Sequence, residues 1–573
     1  MYRKRTNDFD INKLDRLQFI FFGVIILFIF ISIKLFYIQV LENKYYLARA
    51  KAQHSFVADI KPKRGEIFLE NNDKNYPLAI NKVYLNLYAI PNTVEDPLDL
   101  SKKLSEILGV DEDVLITRLT KKDDIYEPIK NKLTDDEVAK VNELNSKGLG
   151  FIKENYRYYP DGPVGSHIVG FVGYKDDKLV GSYGLEGYWD NELKGQEVEL
   201  SGEKDAYGNF ITIGKVDFKK VTDGNDLYLT IDQAIQHFLC KRLKEATEAY
   251  GARNGTAIVM NPKNGDILAM CNYPEFDPNN YSQVKNQNFY NNNAIFTPYE
   301  PGSVFKVVTM AMGLDLGIVK PETTYLDTGV LEVDGYKIMN SDKKANGIRT
   351  MVQVLDESLN TGAAFVAEKV GRERFLDYAI KFGFGEKTNI DLSVEENGNI
   401  ENLNKRGKVF LATASFGQGI TATPIQLISS FSSFVNGGYL YKPRIIKKIV
   451  HPDGKEDTVE PQFIRKVISD KAAKQISAML VSVVEQGHAK SAKSDKYYLG
   501  GKTGTAQIAG KGGYVTDRTN HTFIGFGPSR DPRFVIFVKF DSPQRAWAES
   551  SAGPVFKDTA DFILDYYKIQ PEK

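Results

Sequence analysis

A serine and a lysine three residues apart are the first chemistry in this chain. In "PYEPGSVFKVVTMAMGL", Ser303 follows Pro301-Gly302 at the start of an apolar run with helical spacing, so Ser303 and Lys306 are predicted on one face, one turn apart. Burial disfavours a charged amine, and the positive end of a helix acts the same way, so a shielded Lys306 is pushed towards its neutral form. A neutral amine beside a hydroxyl can take its proton, which makes Ser303 a nucleophile and Lys306 its base. Val307, Val308, Met310 and Met312 are expected to lock that helix into a core and hold both groups still. Taken alone the pair is weak, because such spacing arises by chance and a serine at a helix start is often only a cap.

Two further stretches supply company. "DESLNTGAAFVAEKVG" places Ser358 and Asn360 just ahead of another helix, and "YYLGGKTGTAQIAG" places Lys502-Thr503-Gly504-Thr505 in a strand-like setting. Each has a bland alternative: Ser358 and Asn360 could be caps, and the Gly-rich strand could mark a bulge or turn. Together, in this order, they are the motif set of penicillin-binding proteins and class A β-lactamases.

The elements that must carry these groups are legible. "VTDGNDLYLTIDQAIQHFLCKRLKEATEAYG" reads as a turn, a strand and a long amphipathic helix with Asp232 as N-cap. "GTAIVMNPKNGDILAMCNYP" reads as a hairpin turning at Asn264-Gly265. Strand, helix and hairpin predict an α+β domain over residues 221–573. Residues 41–220 read as short strands and polar helices with no catalytic constellation.

Composition bounds the rest. A chain of 573 residues exceeds the size of one core, and 74 basic against 74 acidic residues leave no nucleic-acid footprint. From Leu17 to Ile33 no charge occurs, and "LFYIQV" extends the apolar run to Val40, which predicts a membrane anchor over 17–40 rather than a cleaved signal. Arg3, Lys4, Arg5, Lys13 and Arg16 precede it, so residues 1–16 are expected in the cytoplasm and the bulk outside, in a single-pass protein of the cell membrane. The two cysteines, Cys240 and Cys271, are expected as buried thiols rather than a disulfide. Histidines are scattered, so neither metal nor cofactor is expected.

The chain resembles the class B penicillin-binding proteins, monofunctional DD-transpeptidases of bacterial cell-wall synthesis. The likeness runs through "RGEI" at Arg64 to Ile67, "YYPDGPVGSHIVGFVG", "GLEGYWDNELKG", "EPGSVFK", "SLNTG", "SFGQGITATPIQL" and "GKTGTAQ". It implies a penicillin-binding transpeptidase fold, a five-stranded sheet flanked by helices, on a pedestal of the dimerisation type at 41–220. It implies that Ser303 attacks the bond between two D-alanines of a stem pentapeptide on peptidoglycan or lipid II, and that β-lactams acylate it. By the same resemblance Lys306 is the base, Ser358 relays the proton to the leaving amine, and Asn360 holds the peptide amide and Lys306. Lys502, with Thr503 and Thr505, would bind the terminal carboxylate, Gly504 would let the strand approach substrate, and the N–H groups of Ser303 and Thr505 would form the oxyanion hole.

Class A β-lactamases activate water with a glutamate in an ExxLN stretch, whereas Glu401-Asn402-Leu403-Asn404 has the wrong spacing, which disfavours hydrolysis. No glycosyltransferase domain is recognisable in 41–220, so the resemblance implies a SEDS-family polymerase and divisome membrane proteins as partners. "EPGSVFK", "SLNTG" and "SFGQGI" look more like division or sporulation members than elongation ones. The alternatives are a penicillin-binding scaffold or sensor without turnover, and a serine β-lactamase.

Overall fold

The computed structural model describes residues 16–37, 55–60, 62–71, 74–121, 126–176, 178–196, 198–203, 221–510 and 513–573. The chain divides into two compact units, one of residues 1–62 and 196–222 and the other of residues 63–195 and 223–573.

In the first unit a helix covers Arg16–Phe36, and strands Ser55–Ile60 and Val198–Glu203 pair antiparallel. The apolar side chains from Ile20 onward are exposed. Among the described residues no helix is long and apolar enough to cross a membrane. Residues 38–40 of the expected anchor lie outside the described residues.

In the second unit β1 (Ile67–Asn71), β2 (Lys74–Ala89), β3 (Glu127–Leu133) and β4 (Leu149–Tyr158) come from the expected pedestal, and β5 (Asp226–Asp232) opens the expected catalytic domain. β1 pairs parallel with β5 and antiparallel with β2, which also pairs with β3 and β4. One sheet spans the point 220/221 between the two expected domains, because the backbone groups of β1 find their partners on β5. Arg64 of "RGEI" ties this region together: it pairs with buried Glu186 at 2.6 Å and with Asp190 at 2.8 Å, both from "GLEGYWD", while Arg157 on β4 meets Glu186 at 2.6 Å.

Asp232 caps α1 (Gln233–Ala249), its carboxylate accepting from the Ile235 N–H at 3.0 Å, and β6 (Asn254–Met260) turns into β7 (Ile267–Tyr273). β8 (Val330–Val333) and β9 (Tyr336–Met339) form a hairpin of their own, and the five-stranded sheet is antiparallel throughout, in the order β7, β6, β12, β11, β10, with β10 at Gly500–Gly510, β11 at Gly513–Gly527 and β12 at Phe534–Asp541. Helix α2 (Phe305–Asp315) is buried from Phe305 to Leu314, including Val307, Val308, Met310 and Met312, as expected of a helix apolar on all sides. Around it lie α3 (Met351–Asp356), α4 (Asn360–Val370) and α5 (Asp470–Glu485).

Cys240 and Cys271 form a disulfide, against the expectation of free thiols. The hairpin folds back under α1 and brings the two Cα atoms to 5.3 Å, within the span a disulfide bridges, and a sequence separation of 31 gave no sign of it.

Candidate active site

Ser303 stands on a 3₁₀ turn, Gly302–Val304, that leads into α2. Gly302 has φ +59°, and its N–H donates to the Gly417 carbonyl at 3.1 Å. A Cβ on Gly302 would come within 3.0 Å of Ala506 Cβ, and one on Gly417 within 2.4 Å of the Gly302 carbonyl. The "SFGQG" segment is thus the bed of the serine's turn. Ser415 accepts from the Thr309 hydroxyl at 2.8 Å, and the Gly419 N–H donates to Glu300 at 2.9 Å.

Lys306 is 1% exposed. Burial, and secondarily the charge of Lys502, hold its amine well below the usual lysine range. Its Nζ donates to the Ser358 carbonyl at 2.5 Å and lies 3.3 Å from the Ser358 hydroxyl. Ser358, between α3 and α4, has φ +55°, a conformation a serine adopts only when its surroundings impose it. Lys502 on β10 is fully buried and donates to the same hydroxyl at 3.0 Å. Burial lowers it to about 7, opposed by the charge of Asp356.

One expectation needs correcting. Asn360 Nδ2 donates to the Met339 carbonyl at 2.8 Å, and the groups that hold Lys306 belong to Ser358. Gly504 has a packing role as well: a Cβ there would lie 3.0 Å from the Pro301 carbonyl and 3.1 Å from Val304 Cγ1, so β10 lies tightly against the serine's turn.

Ser303, Ser358, Thr503 and Thr505 line one cleft of about 330 Å³. The Thr505 hydroxyl accepts from the Ala548 N–H at 3.2 Å, which leaves its own proton free to donate. Glu401 is exposed and is not among the residues lining this cleft. Sequence reasoning missed Glu300, which accepts from the Tyr514 hydroxyl at 3.0 Å, and the 547–549 stretch of the wall. The "SFGQG" motif was visible, but without a role.

Residues 255–561 match the transpeptidase domain of penicillin-binding proteins, and residues 59–229 match the penicillin-binding protein dimerisation domain. Stage V sporulation protein D of Bacillus subtilis is 35% identical over 565 residues, covering 97% of this chain and 86% of that protein. The chain belongs to the class B penicillin-binding proteins. Penicillin-binding protein PbpB of Mycolicibacterium smegmatis is 30% identical over 588 residues, covering 96% of this penicillin-binding protein and 89% of that one. Among solved structures, penicillin-binding protein 3 of Mycobacterium tuberculosis complexed with aztreonam superposes with a TM-score of 0.70 at 25% identity, covering 90% of this chain and 98% of that one. The dimerisation match, ending at residue 229, takes in most of β5 and agrees with the shared sheet.

Proposed function

We propose that this penicillin-binding protein is a peptidoglycan DD-transpeptidase in which Ser303 is the nucleophile. The observation that carries the reading is the buried Lys306, one turn after Ser303, with its Nζ on Ser358. A neutral amine has two N–H groups and one lone pair. The carbonyl and hydroxyl of Ser358 use the N–H groups, and the lone pair is left to take the Ser303 proton. Ser303 Oγ attacks the carbonyl carbon of the penultimate D-alanine, the C–N bond to the last D-alanine breaks, and Ser358 passes the proton to the departing amine. The acyl ester is then attacked by the acceptor amine, whose proton leaves by the same route while Ser303 regains its own.

Lys502, beside Thr503 and Thr505, supplies positive charge for the terminal carboxylate. Asn360, whose Nδ2 is on the Met339 carbonyl, keeps its Oδ1 for the peptide N–H, and the N–H groups of Ser303 and Thr505 receive the oxyanion. A β-lactam enters as a mimic of the donor and stays as an ester.

The helix at Arg16–Phe36 and the basic residues before it support a single-pass anchor with its N-terminus in the cytoplasm. Residues 41–220 then act as a pedestal, a SEDS-family polymerase and divisome proteins supply glycan and context, and the wall made is that of division or sporulation. The likeness to stage V sporulation protein D supports this last reading.

The test follows a peptide thioester donor with and without a D-amino acid acceptor. Aminolysis product should dominate at saturating acceptor. Hydrolysis product dominating there, or rapid turnover of penicillin, would instead make the chain a hydrolase, with Glu549 in the cleft wall the first residue to examine.

A further inference from the structure

Asp327, the last residue of the strand Thr324–Asp327, is 1% exposed, and the mechanism above gives it no task. A buried carboxylate is costly unless its lone pairs are met. Here amides and a hydroxyl meet them. Oδ1 accepts from the Gly329 N–H at 3.0 Å and from the Thr361 hydroxyl at 2.8 Å, and Oδ2 accepts from the Asn346 N–H at 3.1 Å and from Asn346 Nδ2 at 2.8 Å. Asn340 Nδ2 reaches both oxygens, at 3.0 and 2.9 Å. Burial raises a carboxyl, but these bonds outweigh it and hold Asp327 below the usual carboxylate range.

The donors come from two places, the segment 329–346 that contains the β8–β9 hairpin and the first turn of α4. Helix α4 has no side-chain cap of its own, since Leu359 stands at its N-cap. Asn340 supplies one from outside: its Oδ1 accepts from the Thr361 N–H at 3.2 Å. With Nδ2 on Asp327 and Oδ1 on Thr361, the Asn340 amide has one orientation. Behind it, Ile338 of β9 packs with Ala363 and Ala364 of α4. On either side of Asn340 the chain serves the site. Met339 gives its carbonyl to Asn360 Nδ2 at 2.8 Å, and Ser341 and Asp342 line the cleft with Ser303. The bond to Met339 settles which end of the Asn360 amide is left for substrate, namely the acceptor Oδ1.

We propose that Asp327 is a positioning residue for the reaction: through Asn340 and Thr361 it clamps the segment 339–342 to the first turn of α4, so that Met339 holds the Asn360 amide with Oδ1 kept for the N–H of the donor's acyl side chain, without itself touching substrate. The inference rests on the reading of Asn360 as the residue that binds the peptide amide.

The experiment compares second-order acylation by benzylpenicillin and by penicillanic acid, the same bicyclic ring without the 6-acylamino group, in the parent, Asp327→Ala, Asn340→Ala, Asn360→Ala and the double variant of Asp327→Ala with Asn360→Ala. The parent should favour benzylpenicillin. Asp327→Ala and Asn340→Ala should each cut the ratio of the two rates about tenfold, the weight of one well-placed hydrogen bond, with the penicillanic acid rate within about threefold of the parent's. Asn360→Ala should cut the ratio as far, and the double variant no further, because both changes remove one contact. Should Asp327→Ala fail to fold, Asn340→Ala decides alone, since it leaves Asp327 its bonds to Gly329, Asn346 and Thr361. An Asn360→Ala protein with a lowered ratio beside an Asn340→Ala protein with the parent's ratio overturns the inference and leaves the reading of Asn360 standing. A double variant that falls well below Asn360→Ala overturns it too, as does a loss equal for both compounds with a lowered Tm, which is a purely structural effect. An Asn360→Ala protein with the parent's ratio removes the amide-binding reading of Asn360, and this inference with it.

Discussion

The Lys502 ammonium donates to the Ser358 hydroxyl at 3.0 Å, while Lys306 approaches the same hydroxyl at 3.3 Å. One serine thereby joins the base of the first motif to the cation of the third, and its left-handed backbone is the cost of presenting both its carbonyl and its hydroxyl to them.

Ser358→Ala should accordingly slow acylation by about 10²- to 10⁴-fold, the usual weight of a proton-transfer group. Ser358→Gly should be as slow but no less stable than Ser358→Ala, because glycine accepts a φ of +55° without strain. Time courses with a fluorescent penicillin and melting curves check both. An alanine variant within threefold of the parent would place the relay elsewhere.

The rate should depend on pH in a bell. Lys502 must be charged to bind a carboxylate and loses its proton at about 7, so kcat/KM for acylation falls as pH rises through that value. Lys306 must be neutral, and since burial holds it well below the usual lysine range, the acid limb lies far under 10.5. A rate still rising at pH 10 would mean that Lys306 keeps an ordinary amine pKa.

Buried Lys306 also costs stability. In the unfolded chain a lysine keeps its proton to about pH 10.4, whereas in the fold it gives it up earlier, so the unfolded state binds more protons between those values and stability rises with pH across that window. Lys306→Met should abolish labelling, raise Tm at neutral pH by roughly 1–3 °C and flatten that rise. A lower Tm would show that the bonds to Ser358 outweigh the burial penalty.

Gly504→Ala sets a Cβ 3.0 Å from the Pro301 carbonyl, a backbone atom that can yield only by shifting the serine's turn. Acylation should fall about tenfold or more, since small displacements of a nucleophile are expensive. Melting should change little. Parent-like acylation would mean that β10 moves away freely.

Replacing Cys240 and Cys271 together by serine should lower unfolding stability by about 3–4 kcal/mol, the loop-closure entropy expected for a separation of 31 residues. Acylation of the folded fraction should be unchanged, because the bridge joins α1 to β7 and contributes no residue to the cleft wall. Denaturant midpoints measure the first effect and penicillin labelling the second.

Much of the site could be read from spacing. Ser303 and Lys306 are fixed by one helical turn, and the caps and hairpin around Asp232 and Gly265 follow from local chemistry. What escaped depended on residues far apart in sequence. Gly504 needs glycine because Pro301 packs against it, and Cys240 meets Cys271 because a hairpin folds under a helix. The sheet shared across 220/221 was hidden for a related reason: β1 and β5, some 160 residues apart in pairs such as Ile67 and Leu227, are neighbours in it.

The most direct measurement is peptide mapping by mass spectrometry after penicillin treatment of the parent, Ser303→Ala and Lys306→Ala. The penicilloyl mass should sit on the peptide containing Ser303 in the parent, persist for many minutes, and be absent from both variants while they still melt cooperatively. An adduct on any other residue, or labelling of folded Ser303→Ala, would contradict the assignment of Ser303 as the nucleophile.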